Sequence, residues 1–95
     1  MKPYHNKDMD FLYRGILTLQ TREECYAFFE DVCTVKEIIE ISQRLKVAKM
    51  LSAGVNYSTI CKETGASTAT ISRVSKCLEN GSGYKLVLSR VDENA

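Results

Sequence analysis

The sequence predicts an all-α fold of six helices, and three observations carry that expectation. Apolar residues recur at three- and four-residue spacing along most of the 95 residues. No stretch alternates apolar and polar side chains for the length of a strand. Pro3 is the only proline, so no proline interrupts a helix after it.

Each element follows in order. The first helix is expected over residues 8–18, where Met9, Leu12, Tyr13, Ile16 and Leu17 form one apolar stripe. Thr21 stands three before Glu24, a capping box in which hydroxyl and carboxylate each satisfy a free amide, so a second helix starts there. It carries Tyr26, Phe28, Phe29 and Val32. The same logic at Thr34 and Glu37 starts a third helix over 35–53, about five turns long. Ile38, Ile41, Leu45, Ala48 and Leu51 are expected on one side of it. Ile39, Val47 and Met50 widen the apolar surface, which suggests packing on two sides, and Gly54 stops the helix. A linker of Asn80, Gly81, Ser82 and Gly83 precedes a last helix over 84–91, whose Leu86, Val87 and Val91 need a partner surface. The chain is expected to form one domain, 1–95.

Between the third and last helices, residues 58–79 read as two short helices, 58–64 and 68–79, hinged at Gly65. A tight corner needs a residue tolerant of positive φ, and the facing sides need apolar residues. Ile60 and Cys61 precede the glycine, and Ile71 and Val74 follow it, where each helix turns toward the other. Ser67, Thr68, Ala69, Ser72 and Arg73 then point outward. These are small or hydrogen-bonding groups able to approach base edges or phosphates in a DNA major groove. The pattern is that of a helix-turn-helix. An ordinary helical hairpin in a small bundle shares its apolar spacing.

Charge separates the two readings. Residues 44–90 hold eight basic and two acidic side chains, whereas residues 1–43 hold five basic and eight acidic. With Asp92 and Glu93 the total is the formal +1, so near-neutrality conceals a basic segment that coincides with the hairpin. Such a segment suits a polyanion, because released counterions drive non-specific binding to DNA. Lys62, Lys76 and Lys85 are the candidate phosphate anchors. A non-enzymatic module that presents the same basic hairpin to an acidic protein partner is the alternative.

Other classes find little support. Cys25, Cys33, Cys61 and Cys77 form no C-x-x-C pair and the single histidine is His5, so neither a zinc site nor a redox pair fits. All four are expected as reduced thiols, with Cys61 and Cys77 buried in the hairpin. Paired catalytic carboxylates, a phosphate loop and a cysteine beside a base are missing, and no enzyme or cofactor is expected. Neither an 18-residue apolar run nor a leader pattern is found, so the expectation is a cytoplasmic protein.

The stretch ETGASTATISRVSKCL, with RLKVAKMLSAG upstream and an aromatic-rich helix before it, resembles the tryptophan repressor family of bacterial regulators, and within it the TrpR-related YerC/YecD subgroup. The likeness spans about 12–91 and is strongest at Gly65, Ala66, Ala69, Thr70, Ile71, Ser72, Arg73 and Ser75. It implies a sequence-specific DNA-binding repressor that forms an intertwined homodimer. N-terminal helices over about 8–53 would make the dimer, and two hairpins would read major grooves about 34 Å apart. Phe28 and Phe29 would lie between subunits, although periodicity alone fits a monomeric core equally well.

The resemblance also marks an effector pocket at Arg44, Thr70, Arg73 and Val74. In the founding member two arginines flank a bound tryptophan and a glycine stands at the position of Val74. The extra carbons of valine occupy the ligand's space, and overpacking such a site costs about 1 to 3 kcal/mol. Tryptophan binding is therefore not expected, and any effector would be an unknown small molecule. Ser58 stands where the founding member places an arginine on guanine, and it is too short for a bidentate contact.

Overall fold

The computed structural model describes Pro3 and residues 5–91 and contains six α-helices and no strand among them. They are α1 (Lys7–Ile16), α2 (Arg22–Val32), α3 (Val35–Ser52), α4 (Tyr57–Thr64), α5 (Thr68–Asn80) and α6 (Gly83–Arg90). Asp92 and Glu93, which complete the charge balance, lie outside the described residues. The chain divides into two compact units, Met1–Ile38 and Ile39–Ala95, with the boundary inside α3.

Side-chain caps set most of the helix starts. Asn6 accepts a hydrogen bond from the Met9 amide at 2.9 Å, and Thr21 accepts one from Glu24 at 3.0 Å. Glu24 answers by accepting the Gln20 amide at 2.8 Å. At α3 the capping box closes both ways: the Thr34 amide donates to Glu37 Oε1 at 2.9 Å and the Glu37 amide to Thr34 Oγ1 at 3.1 Å. The Thr34 amide first, and its hydroxyl second, hold the Glu37 carboxyl below the usual carboxylate range. α1 ends at Ile16, two residues early, because the Thr18 amide and hydroxyl both turn back to the Gly15 carbonyl at 3.1 and 2.6 Å.

The second unit holds the core. Val47 and Ala48 of α3, Ile60 of α4, Ala66 of the corner, and Ile71 and Val74 of α5 are buried together. Met50, Leu51, Val55, Cys61, Leu78, Tyr84 and Leu88 pack around them. Each fully buried Ile or Val stabilises the fold by about 1.5–3 kcal/mol, so this cluster fixes α3, α4 and α5 to one another.

The expected α3 stripe is divided: Ala48 and Leu51 join Val47 at the core, while Ile41 and Leu45 stay exposed. On α6 the residues packed on the core are Tyr84 and Leu88, whereas Leu86, Val87 and Val91, expected to need a partner surface, are exposed in the single chain. In both helices apolar residues occupy more than one face, and the buried one is chosen by the neighbouring helices.

The first unit is different in kind. No described residue of α1 or α2 is buried. Leu17 is 82%, Val35 73% and Phe11 71% exposed. Its internal contacts are local: Phe28 and Phe29 meet edge to face at 5.3 Å between ring centroids, and the Arg14 guanidinium lies 5.7 Å from the centre of the Phe11 ring.

Candidate nucleic-acid interface

The hairpin is built from its corner outward. Gly65 adopts φ 74°, ψ 4°, the left-handed region that glycine enters without Cβ strain, and its amide donates to the Cys61 carbonyl at 2.9 Å. Thr64 braces the same corner, its hydroxyl donating to the Ile60 carbonyl at 2.6 Å and accepting the Ala66 amide at 3.1 Å. From α3, Gln43 Nε2 donates to the Thr64 carbonyl at 3.0 Å. The chain then enters α5 through Ser67, whose hydroxyl accepts the Thr70 amide at 3.1 Å and donates to the Thr70 hydroxyl at 3.1 Å.

α5 is divided by face. Ile71 and Val74 are buried against Ile60 and Val47, so the helix cannot rotate without exposing them. Thr68, Ala69, Ser72 and Arg73 are exposed, as are Ser67 at the cap and Lys62, Lys76 and Lys85 around the hairpin. Arg44 and Thr70 are half-buried.

Charge at the helix starts follows the same division. α1, α2 and α3 carry Asp8, Asp10, Glu23, Glu24 and Glu37 in their first turns, while α4, α5 and α6 have no acidic residue there. The amide-rich, partly positive N-termini of α4 and α5 are thus left without a carboxylate to oppose an approaching phosphate.

Some of the local chemistry was not apparent from the sequence. α4 begins one residue before Ser58, at Tyr57, because Asn56 accepts the Thr59 amide at 2.8 Å; the asparagine ahead of the apolar pattern was the available signal. Ser67 is an N-cap as well as an outward residue. Cys77, expected to be buried, is exposed, whereas Cys61 packs beside the core, and all four cysteines are free thiols. No helix among the described residues is long and apolar enough to cross a membrane. Among those residues no group of three His, Cys, Asp or Glu side chains is placed to hold a metal ion.

With this geometry in view, the family model described as Trp repressor protein matches residues 7–92. The chain belongs to the Trp repressor family. It is 53% identical over 88 residues to the uncharacterised protein YerC of Bacillus subtilis (strain 168), covering 92% of this chain and 85% of that one. Among solved structures, a TrpR-like protein from Eubacterium eligens ATCC 27750 is 45% identical with a TM-score of 0.87, covering 95% of this chain and 97% of that one. A proposed Trp repressor from Staphylococcus aureus is 50% identical with a TM-score of 0.89, covering 95% and 94%. The Trp repressor family is one of helix-turn-helix DNA-binding regulators, and the six-helix fold is TrpR-like.

Proposed function

We propose that this chain is a sequence-specific DNA-binding transcriptional regulator, a repressor that acts as a homodimer and inserts α5 into the major groove. The observation that carries this reading is the division of α5, with Ile71 and Val74 held in the core and Thr68, Ala69, Ser72 and Arg73 left exposed. Serine and threonine hydroxyls and the guanidinium are base-edge partners, the Ala69 methyl suits a thymine methyl, and Lys62, Lys76 and Lys85 anchor phosphates. Carboxylate-free starts of α4 and α5 support the same partner.

A second copy of the chain is the partner we assign to the open faces of α1 and α2. Helices with no fully buried residue within their own chain offset little of the entropy of their own folding, and a second apolar surface supplies what is missing. The chain then works as one functional domain, with its N-terminal helices, about 8–53, serving association.

Regulation by tryptophan is not part of this reading. Val74 is buried among Ile60, Ile71 and Val47, and the Thr70 hydroxyl is engaged by Ser67. Calorimetry should find no tryptophan binding to the wild type, and tight binding would contradict this assignment. Any effector at Arg44, Thr70, Arg73 and Val74 would be a different small molecule.

Fluorescence anisotropy of a labelled DNA duplex tests the main reading. Binding at low salt should fall steeply as salt rises. Arg73→Ala with Lys76→Ala should weaken it and flatten the salt slope by about 0.9 for each phosphate no longer neutralised. No measurable affinity at low salt would transfer the basic hairpin to the alternative role, docking an acidic protein.

A further inference from the structure

The α3 residue Gln43 stands outside the helix-turn-helix but reaches into its corner. Thr64 is the last residue of α4, and carbonyls at a helix C-terminus have no partner within the helix. Because Gly65 turns the chain away in the left-handed region, the Thr64 carbonyl needs a donor from elsewhere. Gln43 Nε2 supplies it at 3.0 Å across a separation of 21 residues, in a partly buried setting. Gln43 lies four residues before the buried Val47, so the same face of α3 provides both the polar and the apolar contact to the hairpin.

These contacts do different things. Apolar burial between Val47, Ile60, Ile71 and Val74 holds the helices together but is non-directional. A hydrogen bond to a carbonyl is directional and falls off steeply with angle. We propose that Gln43 is a positioning residue for DNA readout: its amide fixes the end of α4 and the Gly65 corner, and through them the angle at which α5 is presented. This rests on the DNA-binding reading above. Base-edge hydrogen bonds demand that angle, whereas attraction between lysines and phosphates tolerates its loss, so Gln43 governs discrimination between sequences more than total affinity.

The test uses the full chain, a duplex selected by the wild type from a randomised library, and an unrelated duplex of equal length. Gln43→Met keeps the side-chain length without the donor. Gln43→Glu places a carboxylate oxygen against the Thr64 carbonyl and can regain a donor only when protonated. Expected for both variants at neutral pH are a wild-type melting temperature within a few degrees, unchanged affinity and salt slope on the unrelated duplex, and roughly tenfold weaker binding to the selected one. Lowering the pH should restore selectivity to Gln43→Glu but leave Gln43→Met impaired. If both variants retain wild-type selectivity, Gln43 does not position the hairpin. Parallel losses of melting temperature and of affinity for both duplexes would overturn the proposal in favour of a purely structural hydrogen bond. A wild-type chain that binds neither duplex at low salt refutes the underlying DNA reading instead, a result distinct from the other two.

Discussion

Residues 39–91 and the helices before them use similar amino acids to opposite ends. In the C-terminal unit a small apolar cluster is closed over and turns polar groups of α5 outward. In the N-terminal unit larger side chains, including Phe11, Tyr13, Leu17 and Tyr26, are left in the open. The helix starts differ in parallel, acidic in α1 to α3 and free of carboxylates in α4 to α6. One region closes a small core and presents a polar, cation-bearing helix face; the other has no buried residue in α1 or α2 and leaves large apolar side chains exposed among its charges. Size of hydrophobe therefore does not determine what is buried, since burial depends on a neighbour able to close the surface.

The largest effect should come from opening the closed cluster. Ile71→Ala removes a fully buried side chain joining α5 to α4, and a loss of about 2–5 kcal/mol is expected in urea unfolding. A change below about 0.5 kcal/mol would mean that the cluster does not hold the hairpin.

Next is the open region. In a lone chain, Leu17→Asp and Val35→Asp alter exposed positions and should change stability by no more than about 0.5 kcal/mol. If a second copy covers these faces, the pair should convert a dimer to monomer in sedimentation velocity and lower the melting temperature. An unchanged sedimentation coefficient would break the contrast between the regions.

Gly65→Ala probes the corner. An added Cβ would meet no atom within 4 Å, so its cost is the backbone strain at φ 74°, about 1–2 kcal/mol by thermal unfolding. At Gly81 the obstacle is different, because a Cβ would approach the Cys77 carbonyl oxygen at 2.9 Å.

The smallest effect concerns the start of α3. Glu37 has a lowered carboxyl pKa, so its contribution to the helix start is complete above the ordinary carboxylate range and is lost as pH falls through the lowered value. Proton exchange of the first-turn amides of α3 should quicken, relative to α5, below the ordinary range. Carbon NMR should place the Glu37 midpoint below the ordinary carboxylate range. A midpoint within that range would remove the capping box as a cause.

Much of the fold was legible in the sequence because it is local. Thr21 with Glu24 and Thr34 with Glu37 announce two helix starts within four residues each, and Gly65 announces the corner because glycine tolerates the left-handed conformation there. The inward placement of Ile60, Ile71 and Val74 also followed, since two short helices about a tight turn have few ways to face each other. The core side of α3 did not follow. Val47, Ile41 and Leu45 are comparably apolar, and the choice among them belongs to α4 and α5. Nor did the link from Gln43 to Thr64, which joins residues 21 apart and leaves no periodic trace. Ser67 escaped as a cap because serine serves equally well as a cap or as a surface hydroxyl.

Groove-specific chemical footprinting on a wild-type-selected duplex tests the central claim most directly. Dimethyl sulfate methylates guanine N7 in the major groove and adenine N3 in the minor groove. Two patches of guanine N7 protection about one helical turn apart are expected, each reduced by Arg73→Ala. Protection confined to adenine N3, or none at any protein concentration, would contradict the insertion of α5 into the major groove.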